Sequence, residues 1–182
     1  TMAKGNGGVI GVDNSVVTAL TTTFTSPGTF TSRPTTSTAG VLVIGGGGGG
    51  GNSNDNKGGG GGAGGIVLVP APNFAVGPAT PVAVTIGGGG SSSAVGADTS
   101  IAPGTPLFLR ARGGGDGGNI PRGAGGPGGS SGGSAGPQSG ASVGPDPAAG
   151  TQPSEPGDSG TFGHGNKGGF LPSASPPGNV GG

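Results

Sequence analysis

Apolar residues in this chain fall into short blocks, and each block abuts a run of glycines. Residues 41–44 (VLVI) enter seven consecutive glycines, 45–51; a polar stretch, 52–57, turns the chain; it returns through 58–65 (GGGGGAGG) into 66–69 (IVLV). The same order recurs where 82–86 (VAVTI) runs into 87–90, and where 106–111 (PLFLRA) leads to 113–115. Short apolar runs bounded by glycine predict β-strands. The first pair then reads as a hairpin whose far ends continue as paired glycine segments. The spacing of the blocks is irregular, which excludes a strict repeat. It fits a meander with strands aligned at one end and glycine runs at the other.

Upstream, residues 7–12 and 15–26 are rich in β-branched side chains and predict strands, with Asp13-Asn14 and Pro27-Gly28 as turn signals. Residues 24–30 (FTSPGTF) predict a local hairpin with Phe24 and Phe30 in equivalent positions, and residues 70–73 (PAPN) close the opening unit. Downstream of Gly113 the chain is Gly, Pro, Ser and Ala with almost no large side chains. Collagen requires glycine at every third position, and GGGDGGNIPRGAGGPGG breaks that period at once. Glycine runs instead favour the polyproline-II conformation, three residues per turn with no internal hydrogen bonds. Such rods can pair N–H and C=O groups laterally, because no Cβ separates their backbones, and Cα–H···O contacts add to this.

The expected fold is therefore all-β and fibrous: short antiparallel strands continuing into packed polyglycine-II rods, with essentially no α-helix. Three regions are expected: a Thr-rich β cap (1–40), a strand and polyglycine hairpin unit (41–112), and an extended Gly/Pro/Ser-rich segment (113–182).

Composition sharpens this reading. Gly and Pro supply 70 of 182 residues, and Leu, Ile, Val and Phe only 32, a balance that by default means disorder. The net charge is zero, however, so self-repulsion does not hold the chain open. Ordering a residue costs about 1–2 kcal/mol, most of all at glycine. A buried Val or Leu returns about 1.5–3 kcal/mol, and too few such residues are present to order the whole length. Backbone pairing and burial against other chains remain, so the expected partner is the chain itself, as a homo-oligomer or polymer. No Cys is present to form a disulfide or a thiolate metal site. The seven basic and seven acidic residues are scattered, which argues against nucleic acid. Runs of four apolar residues are too short for membrane insertion, and no signal-like apolar segment precedes the strands.

Three stretches together carry a resemblance: 24–51 (FTSPGTFTSRPTTSTAGVLVIGGGGGGG), the returning GGGGGAGG, and 77–90 (GPATPVAVTIGGGG). They resemble the glycine-rich domain of tail-fibre and other virion proteins of tailed phages, including cyanophages. Residues 91–118 and the closing GNKGGFLPSASPPGNVGG are similar to later parts of the same pattern. The resemblance implies a sandwich of parallel polyglycine-II rods, as in tip adhesins of T-even-like phages. It also implies a virion location, other virion proteins as partners, and end loops that contact a host cell-surface receptor. This chain departs from that pattern: its tip loops carry no aromatic residues, and its C-terminal third is richer in Pro and Ser. Both departures favour a structural role over receptor binding.

Motifs that carry chemistry find no support. His164 is the single histidine, with no oriented acid or nucleophile implied around it. G-x-G-x-x-G recurs without a strand–helix context, and Lys57 is not followed by Ser or Thr, so neither dinucleotide nor phosphate loops are indicated. NSNDNKG (52–58) has alternating oxygen ligands but lacks the Gly and distal Glu of an EF-hand. GGGDGGN (113–119) resembles a calcium-binding nonapeptide only once, without its apolar position. Both read as solvated turns, so no catalytic residue, metal or cofactor is expected. The residues placed to touch a partner surface are Asn52, Asn54, Asp55, Asn56 and Lys57 at the first tip, with Asp116, Asn119 and Arg122 in the second loop.

The expected function is that of a structural, non-enzymatic virion protein, a tail-fibre or appendage segment. An extracellular filament subunit is the alternative. An ice-binding bundle is a third class, but its regularly spaced Thr would have to lie along the rods, and Thr is concentrated outside them.

Overall fold

The computed structural model of the protein describes residues 20–52, 58–119, 123–136, 145–152 and 163–169. Among these it contains strands and extended segments and no helix. Seven strands follow the chain: β1 (Gly28–Thr31), β2 (Thr38–Ile44), β3 (Ile66–Ala75), β4 (Pro81–Thr85), β5 (Thr99–Ile101), β6 (Leu109–Ala111) and β7 (Gly163–His164). They form two sheets, ordered β1-β4-β5-β6 and β2-β3-β7, with every neighbouring pair antiparallel.

The sheets face each other across one apolar core. Val43, Val67, Val69 and Phe74 of the three-stranded sheet and Val82, Ile101 and Ala111 of the four-stranded sheet are buried together, with Val76 and Ala102 beside them. Alternation along the strands dictates this: Val41 and Val43 turn inward from β2 while Leu42 and Ile44 turn outward. The register sets Leu42 opposite Leu68 and Ile44 opposite Ile66, and shifts between Ala39 and Val41.

Three expectations change. Residues 24–30 do not form a local hairpin, because β1 pairs with β4, Thr29 opposite Ala83 and Phe30 opposite Val82. Burial of Phe30 against the core outweighs the local turn, and the Phe24 ring packs over Gly28 instead. Residues 70–73 do not end the unit either; β3 runs through them to Ala75, since Phe74 is buried opposite Ala39. The strand expected over 7–12 and most of that over 15–26 lie outside the described residues, and 20–26 form no strand.

At one end of the sandwich the strands give way to extended glycine segments bonded sideways at every third residue. Gly45, Gly48 and Gly51 donate their N–H groups to the carbonyls of Gly65, Gly62 and Gly59 at 2.8–3.0 Å, so 45–51 and 58–65 do pair. The next residues round, Gly46 and Gly49, donate to Ala97 and Ala94. The third set, Gly47 and Gly50, is exposed and uses its carbonyls to accept from Gly90 and Ser93. Three faces at a three-residue period are what a threefold extended backbone presents.

Residues 113–118 lie at the centre of this array. Gly114 and Gly117 donate to Gly46 and Gly49, and Gly115 and Gly118 donate to Ser130 and Gly133. Gly115 and Gly118 in turn accept from Gly62 and Gly59, and Asp116 accepts from Gly126 through its backbone carbonyl. All five glycines of 113–118 are buried. Residues 129–135 form the next layer. Ser131 and Ser134 are buried there, with Ser131 Oγ accepting the Gly168 N–H at 2.8 Å and Ser134 Oγ donating to the Pro145 carbonyl.

Candidate contact surfaces

The glycine segments end, away from the strands, in a small polar cluster. Asn119 Oδ1 accepts from the Asn52 backbone N–H at 2.7 Å and from Ser93 Oγ at 2.6 Å. Ser93 Oγ also lies 3.0 Å from the Asn52 N–H. Ser93 has a φ of 58°, a left-handed turn that reverses the chain between 87–91 and 94–98, where Ala94 donates back to Ser91. One amide thus ties together three segments far apart in sequence. Replacing Asn119 by Ala removes the shared acceptor and, because the site is exposed, is expected to cost only about 1 kcal/mol. Amide exchange should quicken at Asn52 and Ser93 while the strands stay protected; unchanged exchange at both would refute the tie.

Of the residues expected to contact a partner, Asn52 and Asn119 come together here. Asp116 does not join them: it is half-buried inside the central segment, on the side of Gly126. Asn54, Asp55, Asn56, Lys57 and Arg122 lie outside the described residues. Among the described residues the side chains gathered at the tip are amides and hydroxyls, able to donate to and accept from hydroxyls or peptide groups on a partner. Among the described residues no cluster of three His, Cys, Asp or Glu could hold a metal ion. His164 stands exposed on β7, opposite Ile66.

At the other end of the array, side chains fasten glycine segments to the strands. Asp98 Oδ1 accepts the Gly113 N–H at 2.8 Å, while its Oδ2 lies 3.6 Å from the Arg110 guanidinium. Gln152, fully buried, accepts the Arg112 N–H through Oε1 at 2.9 Å and donates through Nε2 to the Arg110 carbonyl at 3.4 Å. Sequence reasoning passed over Gln152, whose flanking Thr and Pro carry no signal of burial.

Two further surfaces are apolar. A groove of about 520 Å³ opens between β2 and the β4–β5 pair, lined by Phe24, Phe30, Val41, Val84 and Ile101 among others. The outer face of the three-stranded sheet exposes Leu42 (59%), Ile44 (53%), Leu68 (50%) and Ile66 (38%). Among the described residues no helix is long and apolar enough to cross a membrane.

Compared with known families, residues 22–182 match the model of one described as a glycine-rich domain. No curated protein and no solved structure matches the chain.

Proposed function

Because the chain belongs to the glycine-rich domain family, we propose that it is a structural, non-enzymatic virion protein, a tail-fibre or appendage segment of a tailed phage that works as an assembly of copies. The three-residue period of lateral backbone bonds carries this reading. We read the glycine segments as polyglycine-II rods, stiff because each is bonded to several neighbours and chemically plain because it carries no side chains. Such a body suits the transmission of position and load. In this reading the strand sandwich seats the rods, and the cross-tied tip at Asn52, Ser93 and Asn119 faces outward toward other virion proteins or a host surface receptor. The resemblance of residues 24–182 to phage tail-fibre domains points the same way.

The filament reading draws on a different observation, the exposed aliphatic side chains on the outer face of β2 and β3, which suit stacking of copies. Electron microscopy of the native material separates the two. Short fibres or knobs attached to particles are the expected result. Long open-ended filaments without particles would overturn the virion assignment and favour an extracellular filament subunit.

A further inference from the structure

The two sheets of the sandwich are unequal, and the mismatch leaves apolar side chains uncovered inside it. β2 lies against β5 and β6, and β3 against β6. The β1–β4 end of the four-stranded sheet therefore extends past β2 with no strand packed over it in the same way. Phe30 and Val84 at that end pack against the buried cluster yet are only half-buried themselves. Ala39 and Val41 of β2 are half-buried too, and the groove of about 520 Å³ is the space between them. β2 is also the outermost strand of its sheet, paired with β3 alone. One row of its backbone N–H and C=O groups thus has no strand beside it among the described residues. A strand edge beside an apolar trough is a seat for one more strand, the edge bonding its backbone and the trough taking alternate side chains.

The chain supplies a segment of that kind at the right place. Residues 20–24 all line the groove, so the residues before Leu20 start from its wall. Immediately upstream stand Val16, Val17 and Thr18, and beyond the Asp13-Asn14 turn signal stand Val9, Ile10 and Val12, two β-branched blocks suited to strands. The other stretches outside the described residues fit less well. Residues 53–57, 120–122, 137–144 and 153–162 hold at most one large apolar side chain each. Residues 170–182 hold Phe170, Leu171 and Val180, but they continue from Gly169, whose carbonyl accepts the Ser134 N–H in the outer layer of the glycine array, and no residue of that layer lines the groove. We propose that residues 9–19 of the same chain dock in this groove, adding a strand to the free edge of β2 and covering Phe30 and Val84 with their aliphatic side chains. Tethering at Leu20 holds the segment beside its seat, so a high local concentration favours it over the same segment of another copy. The docked strand would also remove β2 as an open edge, the row of backbone groups on which foreign strands add.

Amide hydrogen exchange on the full wild-type chain, followed over a concentration series, tests this without any substitution. Amides in one or both blocks of residues 9–19 should exchange about a hundredfold or more slowly than in an unstructured peptide, equally at every concentration. Two double variants, Val9→Asp/Ile10→Asp and Val16→Asp/Val17→Asp, each put a charge on both faces of one block. At least one of them should speed exchange about tenfold or more both within 9–19 and along β2, while the pairing of β4 with β5 keeps its protection. Free exchange throughout 9–19 in the wild type would overturn the proposal. So would protection of 9–19 with β2 unmoved in both variants, since the segment would then be seated elsewhere. Protection that grows with concentration would assign the groove to the segment of a second copy and overturn docking within one chain.

Discussion

Replacing Gly114 by Ala is expected to cost about 3–5 kcal/mol, at or beyond the upper end of ordinary overpacking and a large share of a typical stability of about 5–15 kcal/mol. A Cβ at this position would lie well under 3.0 Å from the Gly62 carbonyl and 2.7 Å from the Gly48 N–H nitrogen. Both obstacles are backbone, held by their own lateral bonds, so neither can step aside as the end of a side chain would. Gly114 also donates to Gly46 and accepts from Gly96, each at 2.8 Å, and any retreat of the segment breaks those bonds. Gly88→Ala is the matched control. Nothing lies within 4 Å of a Cβ there, and the added methyl restricts the unfolded chain, so stability should hold or rise by about 0.4–1 kcal/mol. Urea or thermal denaturation of both variants beside the wild type decides the matter. A Gly114→Ala protein as stable as Gly88→Ala would mean that the glycine segments are not packed backbone to backbone.

The same contrast explains what could and could not be read from the chain. The apolar blocks at 41–44 and 66–69 lie within β2 and β3, and β4 takes in all of 82–86 but Ile86, because strand formation follows from β-branched residues bounded by glycine. The pairing of 45–51 with 58–65 was legible because only six residues separate them in the sequence. The neighbours of 113–118 were not legible. Glycine has no side chain with which to encode a partner, and a homopolymeric run has no register of its own. Register is imposed from outside, by Ile44 opposite Ile66 at the base and by Asp98, Gln152 and Asn119 where side chains interrupt the pattern. The partner of β1 was missed for a related reason: a Pro-Gly turn is a local signal, whereas the pairing of Phe30 with Val82 is settled by a shared core. At the tip, spacing picked out polar residues but could not tell Asn119, which ties segments together, from Asp116, which is half-buried within one.

Gln152 is the position where one side chain should matter most to the junction of sandwich and glycine array. It is fully buried, and its amide is the acceptor for the Arg112 N–H and a donor to the Arg110 carbonyl. Its methylenes fill the space that Gly65 leaves open, with Cβ and Cγ each 2.9 Å from where a Gly65 Cβ would stand. Gln152→Ala removes both contributions. The orphaned Arg112 N–H costs about 1–3 kcal/mol, and truncating the buried side chain adds a transfer and cavity cost, so a loss of about 2–4 kcal/mol is expected. Gln152→Met separates the two, since it refills the volume without an acceptor and should recover only the packing part. Hydrogen exchange gives the local readout: amides at Arg112 and Gly65 should lose protection in both variants, because Gly65 donates to the Arg112 carbonyl at 2.7 Å and depends on that segment staying in place. If Gln152→Ala melted with the wild type and left Arg112 protected, the glycine array would be seated on the sandwich without help from Gln152. If Gln152→Met matched the wild type while Gln152→Ala did not, packing rather than the amide would be the fastening.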